Sequence, residues 1–89
     1  MFHSLKLKLG IRKAKKMIAG QEPGFEKTIN YSKFRRFKVQ MNQDEVAISW
    51  HYVMRHNGKP FWTYDKFHYN KNWELVDARS GKYPYTFTH

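Results

Sequence analysis

The chain has no cysteine, which excludes a disulfide scaffold and a thiolate zinc site and fits a reducing compartment, so a cytoplasmic location is expected. Acids are scarce: seven Asp and Glu stand against seventeen Lys and Arg, a net charge of +10. No paired catalytic carboxylates, glycine-rich phosphate loop, zinc spacing or nucleophile elbow can be read, which disfavours an enzyme and implies no cofactor. Long apolar runs are missing too. Met1 to Gln21 is the longest acid-free stretch, but Lys6 and Lys8 interrupt its leucines, so it suits neither a transmembrane helix nor a secretory signal. With only Arg12 and Ser4, it is also poor in the residues of a mitochondrial presequence. A cationic helix lying on a membrane surface is the one membrane reading left.

What is present is unevenly placed. Residues 1–40 carry eleven of the cations against Glu22 and Glu26, whereas residues 41–89 carry six against five acids. Aromatics run the other way, five before residue 41 and eleven after it. A basic N-terminal part thus joins a neutral, aromatic-rich part, which points to an anionic partner, most simply a nucleic acid. At 89 residues, 40% of them hydrophobic, the chain is expected to fold as a single domain around one core.

Leu7, Ile11, Ala14 and Ile18 recur at spacings of four, three and four, one apolar stripe down a helix from about residue 4 to 19 within a basic segment 1–21. Ser4 can cap its start and Gly20, followed by Pro23, can end it. Alternation of Leu5, Leu7 and Leu9 with Lys6 and Lys8 is the competing strand pattern, and Gly10 weakens the helix. Gln21 to Gly24 reads as a turn, and Phe25, Ile29 and Tyr31 suit a short strand.

From Phe34 to Thr88, period-two alternation in successive runs predicts an antiparallel sheet. Asn57-Gly58 suits a type I′ turn, because both central residues need positive φ. With these as the loop, Met54 opposes Phe61, Tyr52 opposes Thr63, Ile48 opposes Phe67 and Val46 opposes Tyr69 on the core face. Asp65 opposite Trp50 is discordant there and suggests a bulge, bend or edge. A connection over Asn42 to Glu45 pairs Met41 with Val46, Val39 with Ile48 and Phe37 with Trp50. The other face then gathers Arg36, Lys38, His51, Trp62, Tyr64 and Lys66.

Asn70 to Asn72 is expected to close a further hairpin, sending Trp73 and Leu75 to the core and setting Glu74 beside His68. After it, Arg79-Ser80-Gly81 leads into a final strand, Lys82 to Thr88. A three-residue loop, which the pattern favours, puts Tyr85 and Phe87 in the core; a two-residue loop turns Tyr83, Tyr85 and Phe87 onto the basic face.

The expected fold class is therefore α+β, an N-terminal basic helix packed on an antiparallel β-meander of four to five strands. Its expected function is non-catalytic nucleic-acid binding. Arg12, Lys13, Lys15 and Lys16 on the helix, with Arg35, Arg36, Lys38 and Lys66, would meet phosphates, while Trp62 and Tyr64, with His51 beside them, would stack on bases. The plainer alternatives are a solvated helix face and aromatics packed on lysine stems. A second function is a protein-interaction module, an inhibitor or accessory subunit docking its basic surface on an acidic partner.

The histidines, His3, His51, His56, His68 and His89, form no helical i,i+4 pair, so no metal site is expected. His51 or His56 with Arg36, Arg55 or Tyr64 offers an acid, base and phosphate clamp for metal-independent RNA cleavage, the third function. In size, basicity and helix-before-meander order the chain is similar to RelE-like ribonuclease toxins, which cut messenger RNA on the ribosome. Those toxins normally open with a strand and two helices, where this chain has room for one good helix, so none of their site residues transfers to it.

Overall fold

The computed structural model describes residues 2–85, with side chains from Leu7 onward. Over these residues one helix, α1 (Phe2–Ile18), precedes five strands: β1 (Glu26–Ser32), β2 (Arg35–Met41), β3 (Glu45–His56), β4 (Lys59–Asn70) and β5 (Leu75–Pro84). The strands lie in sequence order and neighbours are antiparallel, so the α+β arrangement of a helix on a meander is what forms. The helix starts at Phe2, so Ser4 lies within it rather than at the expected cap position, and Phe87 lies outside the described residues.

Helix α1 packs over β2 and β3. Its stripe works as the spacing predicts: Ala14 is fully buried, and Ile11, Met17 and Ile18 press on a core of Phe37, Val39, Met41, Val46, Ile48 and Tyr69. Gly10, which weakens the helix locally, is buried, and a methyl group there would lie 3.4 Å from the Trp50 ring. The helix ends where the Gln21 N–H donates to the Ile18 carbonyl at 2.9 Å, and Lys15 and Lys16 in its last turn suit the negative end of its dipole.

Both central registers follow the sequence pattern. Asn57 and Gly58 have φ of 51° and 75°, and Met54↔Phe61 through Val46↔Tyr69 pair across the resulting hairpin. Between β2 and β3 the Asn42 carboxamide oxygen accepts from the Asp44 and Glu45 N–H groups at 3.0 and 2.7 Å, and Met41↔Val46, Val39↔Ile48 and Phe37↔Trp50 follow. Asp65 needs no bulge. It sits in the regular ladder, accepting from the Tyr52 hydroxyl at 3.2 Å and the Ser80 hydroxyl at 2.9 Å.

Three expectations are corrected. The sheet starts at Glu26, not Phe34: the short strand that Phe25, Ile29 and Tyr31 suit forms as β1 and pairs along β2 at the edge, with Ile29 half-buried beside Phe37 and Tyr31 meeting Lys13 of the helix. The turn after β4 is longer than Asn70 to Asn72: the Asn70 carboxamide oxygen accepts from both the Asn72 and Glu74 N–H groups, and Trp73 takes φ of 61°. Glu74 accordingly bonds Asn70, while His68 meets Glu45 at 3.3 Å and faces Asp77. Finally, Arg79-Ser80-Gly81 is no loop. β5 runs straight through it, and a register shift where Tyr69↔Leu75 gives way to His68↔Asp77 leaves Val76 as an extra residue.

That one extra residue decides where the last aromatics go, since a bulge transfers every following side chain to the other face. Tyr83 therefore pairs with Trp62, and Tyr85 lies 5.8 Å from the same indole, away from the helix. The expected core placement of Tyr85 is thus reversed. Phe87 is beyond the described residues.

Candidate nucleic-acid interface

The face of the sheet opposite α1 collects Arg36 and Lys38 from β2, Ser49 and His51 from β3, Trp62, Tyr64 and Lys66 from β4 and Tyr83 from β5. Their order follows from alternation alone once the registers are set. Lys38, Ser49, His51, Tyr64, Lys66 and Tyr83 line an open depression of about 200 Å³.

His51 is its centre. One ring nitrogen lies 2.9 Å from the Ser49 hydroxyl and the other 3.0 Å from the Tyr83 hydroxyl. Burial holds its pKa below the ordinary histidine value, and Lys38, Arg36 and Lys66 lower it further, so the ring stays neutral at neutral pH. Ser49 is buried, and burial likewise raises the Tyr83 phenol while Arg36 and Lys38 oppose that rise.

Trp62 is not the open stacking surface the sequence suggests. It is only 4% exposed. The Arg36 guanidinium reaches it from the β2 side, 4.3 Å from the ring centroid, and Tyr83 stacks on it from the β5 side at 6.0 Å with planes inclined 16°. Its burial is therefore the work of its own face, not of the helix.

Tyr64 is half-buried and lies across Gly81. A Cβ at residue 81 would fall 2.6 Å from the Tyr64 hydroxyl oxygen and 2.7 Å from its Cε1, so the glycine serves here as a bare stretch of strand beneath a ring. Gly81→Ala should swing the ring outward, lowering stability by about 1–2 kcal/mol. Urea midpoints and the aromatic proton shifts of Tyr64 check this; unchanged shifts would mean that the ring does not rest on Gly81.

The structure splits the remaining predicted residues. Arg12, Lys13, Lys15, Lys16 and Arg35 are on the helix side, so they and the open-face group form two surfaces rather than one. Lys13 is committed to packing: its ammonium bonds the Tyr31 hydroxyl, 4.5 Å from that ring's centroid and 5.4 Å from that of Phe37. Lys15 lies 5.3 Å from the centroid of Trp73. Arg12 and Lys16 are exposed beside Leu9 and Trp50. Arg35, opposite Tyr52, faces away from its neighbour Arg36.

Acids on the open face are engaged. Glu26 bonds Lys38 at 2.8 Å, which holds its carboxyl below the usual range, and Asp77 is held down in the same way by Arg79 at 2.8 Å. Among the described residues no carboxylate bonds Arg36 or Lys66, and no three His, Asp or Glu side chains gather as metal ligands. No described helix is long and apolar enough to cross a membrane.

Tyr83 and Tyr85, which the favoured three-residue loop kept off this face and only the two-residue alternative placed on it, belong to it, and Ser49 joins it as a hydroxyl to which the sequence assigned no role. A signal for Tyr83 existed in Gly81, since a strand glycine opposite an aromatic is an alternative to a turn. Comparison with protein-family models, with curated proteins and with solved structures finds no match to this chain.

Proposed function

We propose that this chain is a non-catalytic binder of single-stranded nucleic acid that uses the open sheet face. The observation carrying this reading is the interleaving there of Arg36, Lys38 and Lys66 with Tyr64, Tyr83 and His51, on a chain of net charge +10. Cations beside ring faces suit a polymer whose phosphates and unstacked bases alternate at similar spacing. Arg12, Lys15 and Lys16, on the other side, add a long-range field that draws the polyanion in without specifying sequence.

The test is an anisotropy titration of a random single-stranded oligonucleotide at two salt concentrations. Affinity should fall steeply with salt, and Arg36→Gln and Lys66→Gln should each flatten the logarithmic salt slope by about 0.7, the value for one phosphate contact on a single strand. Absence of binding at low salt would end the proposal. RNA cleavage that persists in chelator and disappears in His51→Ala would replace it with a ribonuclease.

A further inference from the structure

The rings of the open face form a connected run. His51 and Tyr64 are 5.9 Å apart, Tyr64 and Tyr83 6.2 Å, Tyr83 and Trp62 6.0 Å, Trp62 and Tyr85 5.8 Å, and Tyr85 and Phe34 6.4 Å. Its inner members are buried or half-buried by one another. Phe34 ends it and is 48% exposed.

Phe34 is held in place: its N–H donates to the Ser32 hydroxyl at 3.1 Å and its carbonyl accepts from the Val53 N–H at 2.9 Å. Next to it a cleft of about 530 Å³ is bounded by Phe34 and Tyr85, with Val53 and Pro60 as apolar lining and Lys33 and Arg55 as its cations. The two rings are inclined by 31°. At 6.4 Å between centroids the two rings meet each other, short of the roughly 7 Å that a third aromatic plane needs between them, so a ring entering the cleft meets the exposed part of Phe34 instead.

We infer that this cleft is a nucleobase slot: one unpaired base enters it and stacks on the exposed ring of Phe34, with Tyr85 at its edge, and Lys33 and Arg55 take the phosphates on either side of it. The inference rests on the proposed function and gives it a base-reading position, which the buried Trp62 does not provide. The slot's aliphatic lining has no side-chain hydrogen-bonding group, and Pro60 lacks an N–H, so the slot accepts a ring by stacking and discriminates little between bases. RNA and DNA strands are both substrates for such a slot.

The experiment compares an oligothymidylate with an abasic strand of the same length. The wild-type chain should bind the strand with bases more than tenfold more tightly, about tenfold being the effect of one stacked base. Phe34→Ala should lower that preference about tenfold while leaving affinity for the abasic strand and the thermal midpoint unchanged, and Phe34→Tyr should keep it. Arg36→Gln should weaken both strands alike. Equal wild-type affinity for the two strands, or a preference that Phe34→Ala leaves undiminished, overturns the slot and leaves phosphate binding by the open face standing; binding of neither strand overturns the face and the slot together.

Discussion

Phe37→Ala is expected to remove about 3–5 kcal/mol of stability, the usual cost of emptying a fully buried aromatic site. The ring is completely inaccessible, packs at 4.5 Å centroid separation on Trp50, and pairs along the sheet with Ile29 on one side. Helix α1 closes over it, and the Lys13 ammonium lies 5.4 Å from its centroid. No neighbour is placed to refill the space, because Ile48 and Val39 are themselves fully buried in register with their own partners. A domain of this size has roughly 5–13 kcal/mol to lose in total. The variant should therefore unfold at a much lower urea concentration, whereas Phe37→Leu, which keeps most of the volume, should cost under about 1.5 kcal/mol. Matching midpoints for wild type and Phe37→Ala would show that α1 does not seal this core.

Phe37 illustrates which parts of the fold were legible. Asn57-Gly58 admits one turn type, and from it every pair between β3 and β4 follows by counting. The short connection at Asn42 extends the same count to β2, which is why Phe37, Val39 and Ile48 could be placed in the core and Arg36 beside His51. Beyond Asn70 counting fails. A bulge is a single additional residue, and Val76 has no chemical mark that distinguishes it from a paired strand valine. Gly81 misled for a related reason: glycine punctuates turns more often than it underlies a ring, and only the position of Tyr64 on the neighbouring strand separates the two cases.

Charge was legible as a surface on one face, where the register sets Arg36 and Lys38 beside His51, Tyr64 and Lys66, but not on the other. Arg35 and Arg36 are adjacent in sequence, yet strand alternation sends them to opposite faces, and the helical lysines divide between solvent and packing roles. The N-terminal excess of cations is thus shared between two sides of a sheet. On one side it is divided between water, at Arg12 and Lys16, and rings, at Lys13 and Lys15. On the other, Arg36 and Lys38 meet rings from β3, β4 and β5, an arrangement no single stretch of sequence contains.

Trp62→Ala separates a ring that organises this face from one that contacts a base. Since Trp62 is 4% exposed and has Arg36, Tyr83 and Tyr85 on it, its removal should cost about 3–5 kcal/mol in stability. The melting midpoint should fall by roughly 4–8 °C for each kcal/mol lost. Two effects on binding then follow from geometry. Tyr85 loses the partner that holds it opposite Phe34, so preference for a strand with bases should decline, and Arg36 loses the ring that fixes its guanidinium, so phosphate affinity should decline as well. Trp62→Phe, which restores a smaller platform, should recover part of both the midpoint and the affinity. A ring that stacked directly on bases would behave differently: its loss would reduce affinity while the midpoint held. Thermal melts and oligonucleotide titrations on the same two variants distinguish the cases, and a stable, binding-deficient Trp62→Ala protein would place the base on Trp62 after all.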